Sequence, residues 1–169
     1  LLVMTYLNPI EQMGWKVFSR RLAQAGGDGA IVPDLPLEMF TKCGIFLKKH
    51  GLSLIPFLAP TSSPERFQKV DAQGAPFLYY VSLTGVTGAR KSLAPGLVAS
   101  LRKLRARMKT PVVVGFGISN ARQAAQVGKA ADGVIIASAL IQLISKTPAS
   151  KISAVVRRYC DGIVKALGR

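Results

Sequence analysis

Six times along this chain a short apolar, β-branched run gives way to a longer segment of helical period. The strand-like runs are Leu1–Tyr6, Ala30–Pro33, Leu52–Leu58, Phe77–Ser82, Pro111–Gly115 and Gly133–Ala137. They are apolar throughout rather than alternating, the pattern of parallel strands buried on both faces. Between them, Met13, Val17, Phe18, Leu22 and Ala25 recur at helical spacing and stop at Gly26-Gly27. Phe40, Cys43 and Leu47 share a face that closes at His50-Gly51. Ser62-Ser63-Pro64-Glu65 starts a helix with Pro in its first turn. Leu97, Leu101, Leu104 and Met108 mark the next helix. Further helices are expected from about Asn120 to Lys129 and from near Ser138. The last one carries Ile152, Val155, Tyr159 and Ile163 on one face. Strand–helix repetition of this kind gives a doubly wound sheet or a (β/α)8 barrel.

Composition removes several classes. Hydrophobic residues make up 49% and charged residues 18%, which argues against disorder. The longest apolar runs fall far short of the ~20 residues of a membrane helix. Leu1–Met4 has no basic region before it, unlike a secretion signal. No linker interrupts residues 1–169, so a single domain is expected. The chain does not begin with Met, which leads us to expect that it starts inside something larger.

The net charge is +15, from 23 Lys+Arg against 8 Asp+Glu. No acid lies between Ala72 and Ala131, and the densest basic cluster runs from Arg102 to Lys109 on a helix. Such charge raises the possibility of nucleic acid. Base-stacking aromatics would strengthen that reading, yet none lies between Tyr80 and Phe116. A solvated helix face is the simpler account. Cys43 and Cys160 belong to no metal-ligand spacing and read as reduced, packed thiols of a cytoplasmic protein. His50, the single histidine, reads as an exposed helix-end residue.

In either architecture the ligand sits at the C-terminal ends of the strands. The fourth strand runs into Ser82-Leu83-Thr84-Gly85-Val86-Thr87-Gly88-Ala89-Arg90, a loop whose amides can face an anion. The fifth runs into Gly115-Phe116-Gly117-Ile118-Ser119, where Gly117 permits close backbone approach. The sixth runs into Ala137-Ser138-Ala139 at a helix start, which favours phosphate.

These loops, together with Tyr6-Leu7-Asn8-Pro9, Ile31-Val32-Pro33-Asp34-Leu35-Pro36, Phe57-Leu58-Ala59-Pro60-Thr61 and Tyr79-Tyr80-Val81, resemble the tryptophan synthase α subunit family in order and spacing. The likeness covers almost the whole chain. It implies an α/β fold, a parallel (β/α)8 TIM barrel, with the third to eighth β-α units in this chain. The implied activity is cleavage of indole-3-glycerol phosphate to indole and glyceraldehyde 3-phosphate. The implied partner is the β subunit, which carries pyridoxal phosphate; no cofactor is implied for this chain. Neither a membrane nor nucleic acid is implied as a partner.

Carried over by motif, Gly88, Gly117 and Ser138 match phosphate-binding positions, and Ala137 stands where the family usually has Gly. Phe116 matches an aromatic residue near the ligand. Tyr6, Ile31 and Phe57 match the wall of the indole pocket. Tyr79 matches the tyrosine near the catalytic carboxylates, and Thr87 the threonine of a mobile loop. Asn8, Asp34 and Pro36 match the face that meets the β subunit.

The reaction needs an acid at indole C3 and a base for the aldol-like step. The family supplies them as a Glu and an Asp from units that precede the matched segments. None of the eight acids here is a convincing substitute. The chain alone is therefore expected to lack lyase activity. With two strand edges exposed it is also expected to associate or bind hydrophobic dye. Two alternatives stand beside this reading: another phosphate-binding barrel enzyme acting on a sugar phosphate, and a basic, non-catalytic nucleic-acid module.

Overall fold

The computed structural model describes residues 1–81, 93, 95–115 and 117–168. Thr87, Gly88 and Phe116, and with them the Ser82–Arg90 loop, lie outside the described residues. The chain divides into two compact units, Leu1–Tyr79 and Tyr80–Arg169.

The first unit begins with β1 (Leu2–Met4), α1 (Leu7–Met13), α2 (Trp15–Gln24) and β2 (Gly29–Ile31). It continues with α3 (Leu37–Lys48), β3 (Ser53–Ile55), β4 (Phe57–Leu58), α4 (Pro64–Asp71) and the start of β5 (Leu78–Val81). β1, β2 and β3 pair in parallel in that order, with Val3 opposite Ala30 and Ala30 opposite Leu54. The core behind them is built from Ile10, Trp15, Leu22, Val32, Leu47 and Leu54.

Two local expectations change. The periodic segment from Met13 to Ala25 is not one helix with a loop before it. Asn8-Pro9 lies inside α1, where a Pro in the first turn loses no intrahelical bond. Gly14, at φ +80°, then breaks the path. Its N–H closes α1 on the Ile10 carbonyl at 2.7 Å, and its carbonyl receives the Phe18 N–H at 2.9 Å. Trp15 Nε1 donates to Glu11 across the break at 2.7 Å. The strand expected over Leu52–Leu58 is likewise divided into β3 and β4, because buried Pro56 between them has no N–H for a ladder.

The second unit holds α5 (Leu97–Arg105), β6 (Val112–Gly115), α6 (Ala121–Gly128), β7 (Gly133–Ile135), α7 (Ser138–Ser145), a 3-10 turn (Ala149–Lys151) and α8 (Ile152–Ala166). β6 and β7 pair in parallel, Val114 opposite Val134. Helix starts follow side-chain chemistry. Ser63 accepts the Arg66 N–H at the head of α4, and Asn120 accepts the Gln123 N–H at the head of α6.

An Asp-Gly pair opens both β2 and β7. Asp28 N–H donates to the Leu1 carbonyl at 2.7 Å, and Asp132 N–H donates to the Val112 carbonyl at 2.8 Å. Asp132 also accepts the Val112 N–H at 2.8 Å and pairs with Arg105 Nε at 2.6 Å. Arg105 Nη1 in turn donates to the Met108 carbonyl at 2.9 Å. One carboxylate thus ties the end of α5 to the starts of β6 and β7. Asp132→Ala leaves the Val112 N–H without this acceptor, so a loss of about 1–3 kcal/mol is expected. A fall in the urea midpoint checks it, and Asp132→Asn, which keeps an acceptor, should lose less.

Cys43 is buried, as expected of a packed thiol, and burial with the nearby Glu11 charge raises its pKa. Cys160 departs from expectation and is exposed. α8 turns Tyr159 and Ile163 inward, and Cys160, one step from Tyr159, falls on the outer side.

Candidate ligand-binding loops

In the first unit, the segment after β3 brings two aromatic rings together. Phe57 and Tyr79 stack with centroids 4.9 Å apart and planes 28° from parallel. The Tyr79 N–H donates to the Pro56 carbonyl at 2.8 Å, which fixes β5 beside this segment. Tyr79 is buried, and burial pushes its hydroxyl pKa above the usual tyrosine value, so it stays a neutral donor at physiological pH. Ile31, the last residue of β2, is also buried, whereas Tyr6 is 67% exposed at the head of α1.

Asn8, Asp34 and Pro36 are all exposed. Asn8 lies in the first turn of α1 and Asp34 and Pro36 in the loop after β2, and one bond joins the two segments: the Leu7 N–H donates to Asp34 Oδ1 at 2.9 Å. Asp34 is therefore the cap that α1 lacks locally, since Tyr6 supplies no side-chain cap. The sequence places Asp34 on a face that meets a β subunit and does not show it as a cap. The signal was the want of a capping residue before Leu7. Asp34→Ala should cost about 1 kcal/mol, measurable as a loss of amide protection at Leu7.

In the second unit Gly117 has φ +80°, a conformation other residues rarely adopt. The turn after it is braced by side chains that sequence reasoning did not single out for the site. Gln123 Oε1 accepts the Ser119 N–H at 2.8 Å and the Ser119 hydroxyl at 3.0 Å. Gln123 is 1% exposed, unusual for an amide side chain. Tyr159 donates its hydroxyl to the Ser119 carbonyl at 2.9 Å. Tyr159 had read only as part of an apolar helix face; its polar tip is what the pattern hides.

β7 is followed by the head of α7. Ala137 is exposed at the N-cap and gives no side-chain cap, and Ser138 is half-buried as the first helical residue. The helix therefore opens on Ala-Ser-Ala, with small side chains and backbone amides at its positive end. This unit also holds 15 of the 23 Lys+Arg and only Asp132 and Asp161 as acids, a net +13. Among the described residues no three His, Cys, Asp or Glu side chains form a metal-holding group.

Glu11, Asp34 and Asp132, three of the eight acids, are engaged by side-chain or backbone partners. Glu11 holds Trp15, Asp34 caps α1 and Asp132 pairs with Arg105. Glu38 and Glu65 sit in the first turns of α3 and α4, and Asp161 lies exposed on α8.

The family model for the tryptophan synthase alpha chain matches residues 1–166. The chain belongs to the tryptophan synthase alpha chain family. A tryptophan synthase alpha chain of Roseiflexus sp. (strain RS-1) is 48% identical over 145 residues, which are 86% of this chain and 56% of that one. The crystal structure of the alpha chain from Legionella pneumophila subsp. pneumophila superposes with a TM-score of 0.84 at 36% identity, covering 99% of this chain and 62% of that one. A chain from a structure of the tryptophan synthase a2b2 complex of Pyrococcus furiosus gives 0.83 at 28% identity, covering 97% of this chain and 66% of that one. The chain therefore spans little more than half to two thirds of these relatives. Its fold class is that of the tryptophan synthase alpha barrels, α/β with parallel strands, and it holds six of the eight β-α units. No helix among the described residues is long and apolar enough to cross a membrane.

Proposed function

We propose that this chain is the substrate-holding part of an alpha-type tryptophan synthase, which cleaves indole-3-glycerol phosphate to indole and glyceraldehyde 3-phosphate. The observation that carries the reading is the uncapped head of α7, with Ser138 first in the helix, in a chain of this family. A barrel phosphate site is frequently built from the last loops and such a helix start. On this reading Gly88, Gly117, Ala137 and Ser138 hold the phosphate. Tyr6, Ile31, Phe57 and Tyr79 hold the indole ring, helped by Phe116, and Thr87 helps close the site. The positive field of the second unit draws in the anionic substrate.

Asn8, Asp34 and Pro36 are exposed and so within reach of a β subunit. The relative in the Pyrococcus furiosus a2b2 complex supports such a partner. Pyridoxal phosphate belongs to that partner, and this chain takes no cofactor. The protein is cytoplasmic on this reading, and residues 1–169 belong to a single barrel domain.

Calorimetric titration separates this function from another sugar-phosphate enzyme. Indole-3-glycerol phosphate should bind more tightly than glycerol 3-phosphate, and Phe57→Ala should remove most of that preference, about ten-fold or more for a lost aromatic contact. Tighter binding of ribose 5-phosphate than of the indole compound would favour the alternative enzyme.

A further inference from the structure

The first unit contains a cavity that none of the candidate site residues above lines. It has a volume of about 480 Å³ and lies between α3, β3 and the turn that joins α4 to β5. Phe40, Ile45 and Leu54 form its apolar wall, and Lys48 and Gln73 supply polar groups.

Three features set it apart from an ordinary crevice. First, the Gln73 Oε1 is buried and accepts no hydrogen bond. A buried acceptor left without a partner is costly, and native proteins rarely keep one without a use. Second, Gly44 stands in the middle of α3 and lines the cavity, although glycine weakens a helix interior. Nothing crowds it: an added Cβ would meet only Leu54 Cδ2, at 3.9 Å. The missing side chain opens the cavity. Third, Ile45 beside it is 50% exposed, a large apolar surface left in solvent. Lys48 lies one helical turn beyond Gly44 on the same face and forms no ion pair among the described residues.

We propose that this cavity binds a small amphipathic acid. Its apolar body lies against Phe40, Ile45 and Leu54. An N–H or O–H group donates to Gln73 Oε1, and its anionic group meets the Lys48 ammonium. The size falls in the range of small-molecule sites, which combine apolar walls with a few fixed polar groups. A water molecule satisfies Gln73 alone and makes no use of Lys48 or the apolar wall.

The test is a titration of the full chain with 4-hydroxybenzoate, benzoate and 4-hydroxybenzyl alcohol, followed by amide NMR shifts at Gly44, Ser53 and Gly74. 4-Hydroxybenzoate should bind most tightly, and loss of either polar group should weaken binding about ten-fold. Gln73→Met should abolish the advantage over benzoate, and Lys48→Met the advantage over the alcohol. Gly44→Leu, which fills the space, should abolish the shifts, while Gly44→Ala should raise the melting temperature. The proposal is overturned if no probe shifts these amides, if all three bind alike, or if the Gln73 and Lys48 variants keep the ranking. Should Gly44→Leu fail to fold, those two variants decide.

Discussion

Gly29→Ala is expected to destabilise the first unit by about 3 kcal/mol or more, beyond the usual cost of an overpacked core side chain. A Cβ at this position would lie 2.1 Å from the Ser53 carbonyl oxygen and 3.0 Å from its carbon. Both atoms are backbone, so no rotamer can relieve the clash. Gly29 also sits opposite Ser53 in the β2–β3 register, and the Ser53 N–H donates to the neighbouring Asp28 carbonyl at 2.9 Å. Room for the methyl comes only from separating the strands, which breaks that bond. Total stabilities are about 5–15 kcal/mol, so the variant should lose a large share of its urea midpoint. Gly133→Ala is the control, since Gly133 also follows an Asp at a strand start. There the nearest atom is a side-chain methyl, Val113 Cγ2 at 3.3 Å, which can give way. Its loss should stay within about 1 kcal/mol. Equal losses for the two would show that β2 and β3 are not paired in this register.

The other large effect concerns the reaction. The chain by itself should release no measurable indole from indole-3-glycerol phosphate. Each proton-transfer group contributes roughly 10²–10⁴ in rate, so want of both removes about 10⁴–10⁸. The acids that are present are committed to Trp15, to the head of α1 and to Arg105, sit on helices, or, as Asp28, stand at the entry to β2. Chromatographic detection of indole over hours measures this. Release at a rate typical of a working enzyme would mean that one of the eight acids reaches the substrate after all.

Much of the order of elements could be read from the chain, because parallel strands buried on both faces leave unbroken apolar runs such as Val112–Val114. Element ends were harder. Gly14 divides a continuous helical period, since periodicity registers apolar spacing and not the sign of φ. Pro56 divides an apolar run in the same way. At the candidate site, Gly117 and the α7 head were legible as backbone features that follow strands. The Asp34 bond to Leu7 and the Gln123 and Tyr159 bonds to Ser119 were not. Each joins residues whose roles depend on a partner's backbone, and Tyr159 lies 40 positions away. The exposed Cys160 shows the same limit of a one-face reading for a helix with a narrow buried stripe.

The phosphate-holding role of the α7 head is the centre of this account, and Ala137→Asp tests it most directly. Asp is a preferred N-cap, so the change should leave the melting temperature unchanged or higher. The same carboxylate occupies the helix amides and repels an incoming phosphate. Calorimetry with glycerol 3-phosphate should therefore show affinity falling at least about ten-fold, one lost charge-assisted contact. Undiminished affinity in a folded Ala137→Asp protein would contradict the assignment.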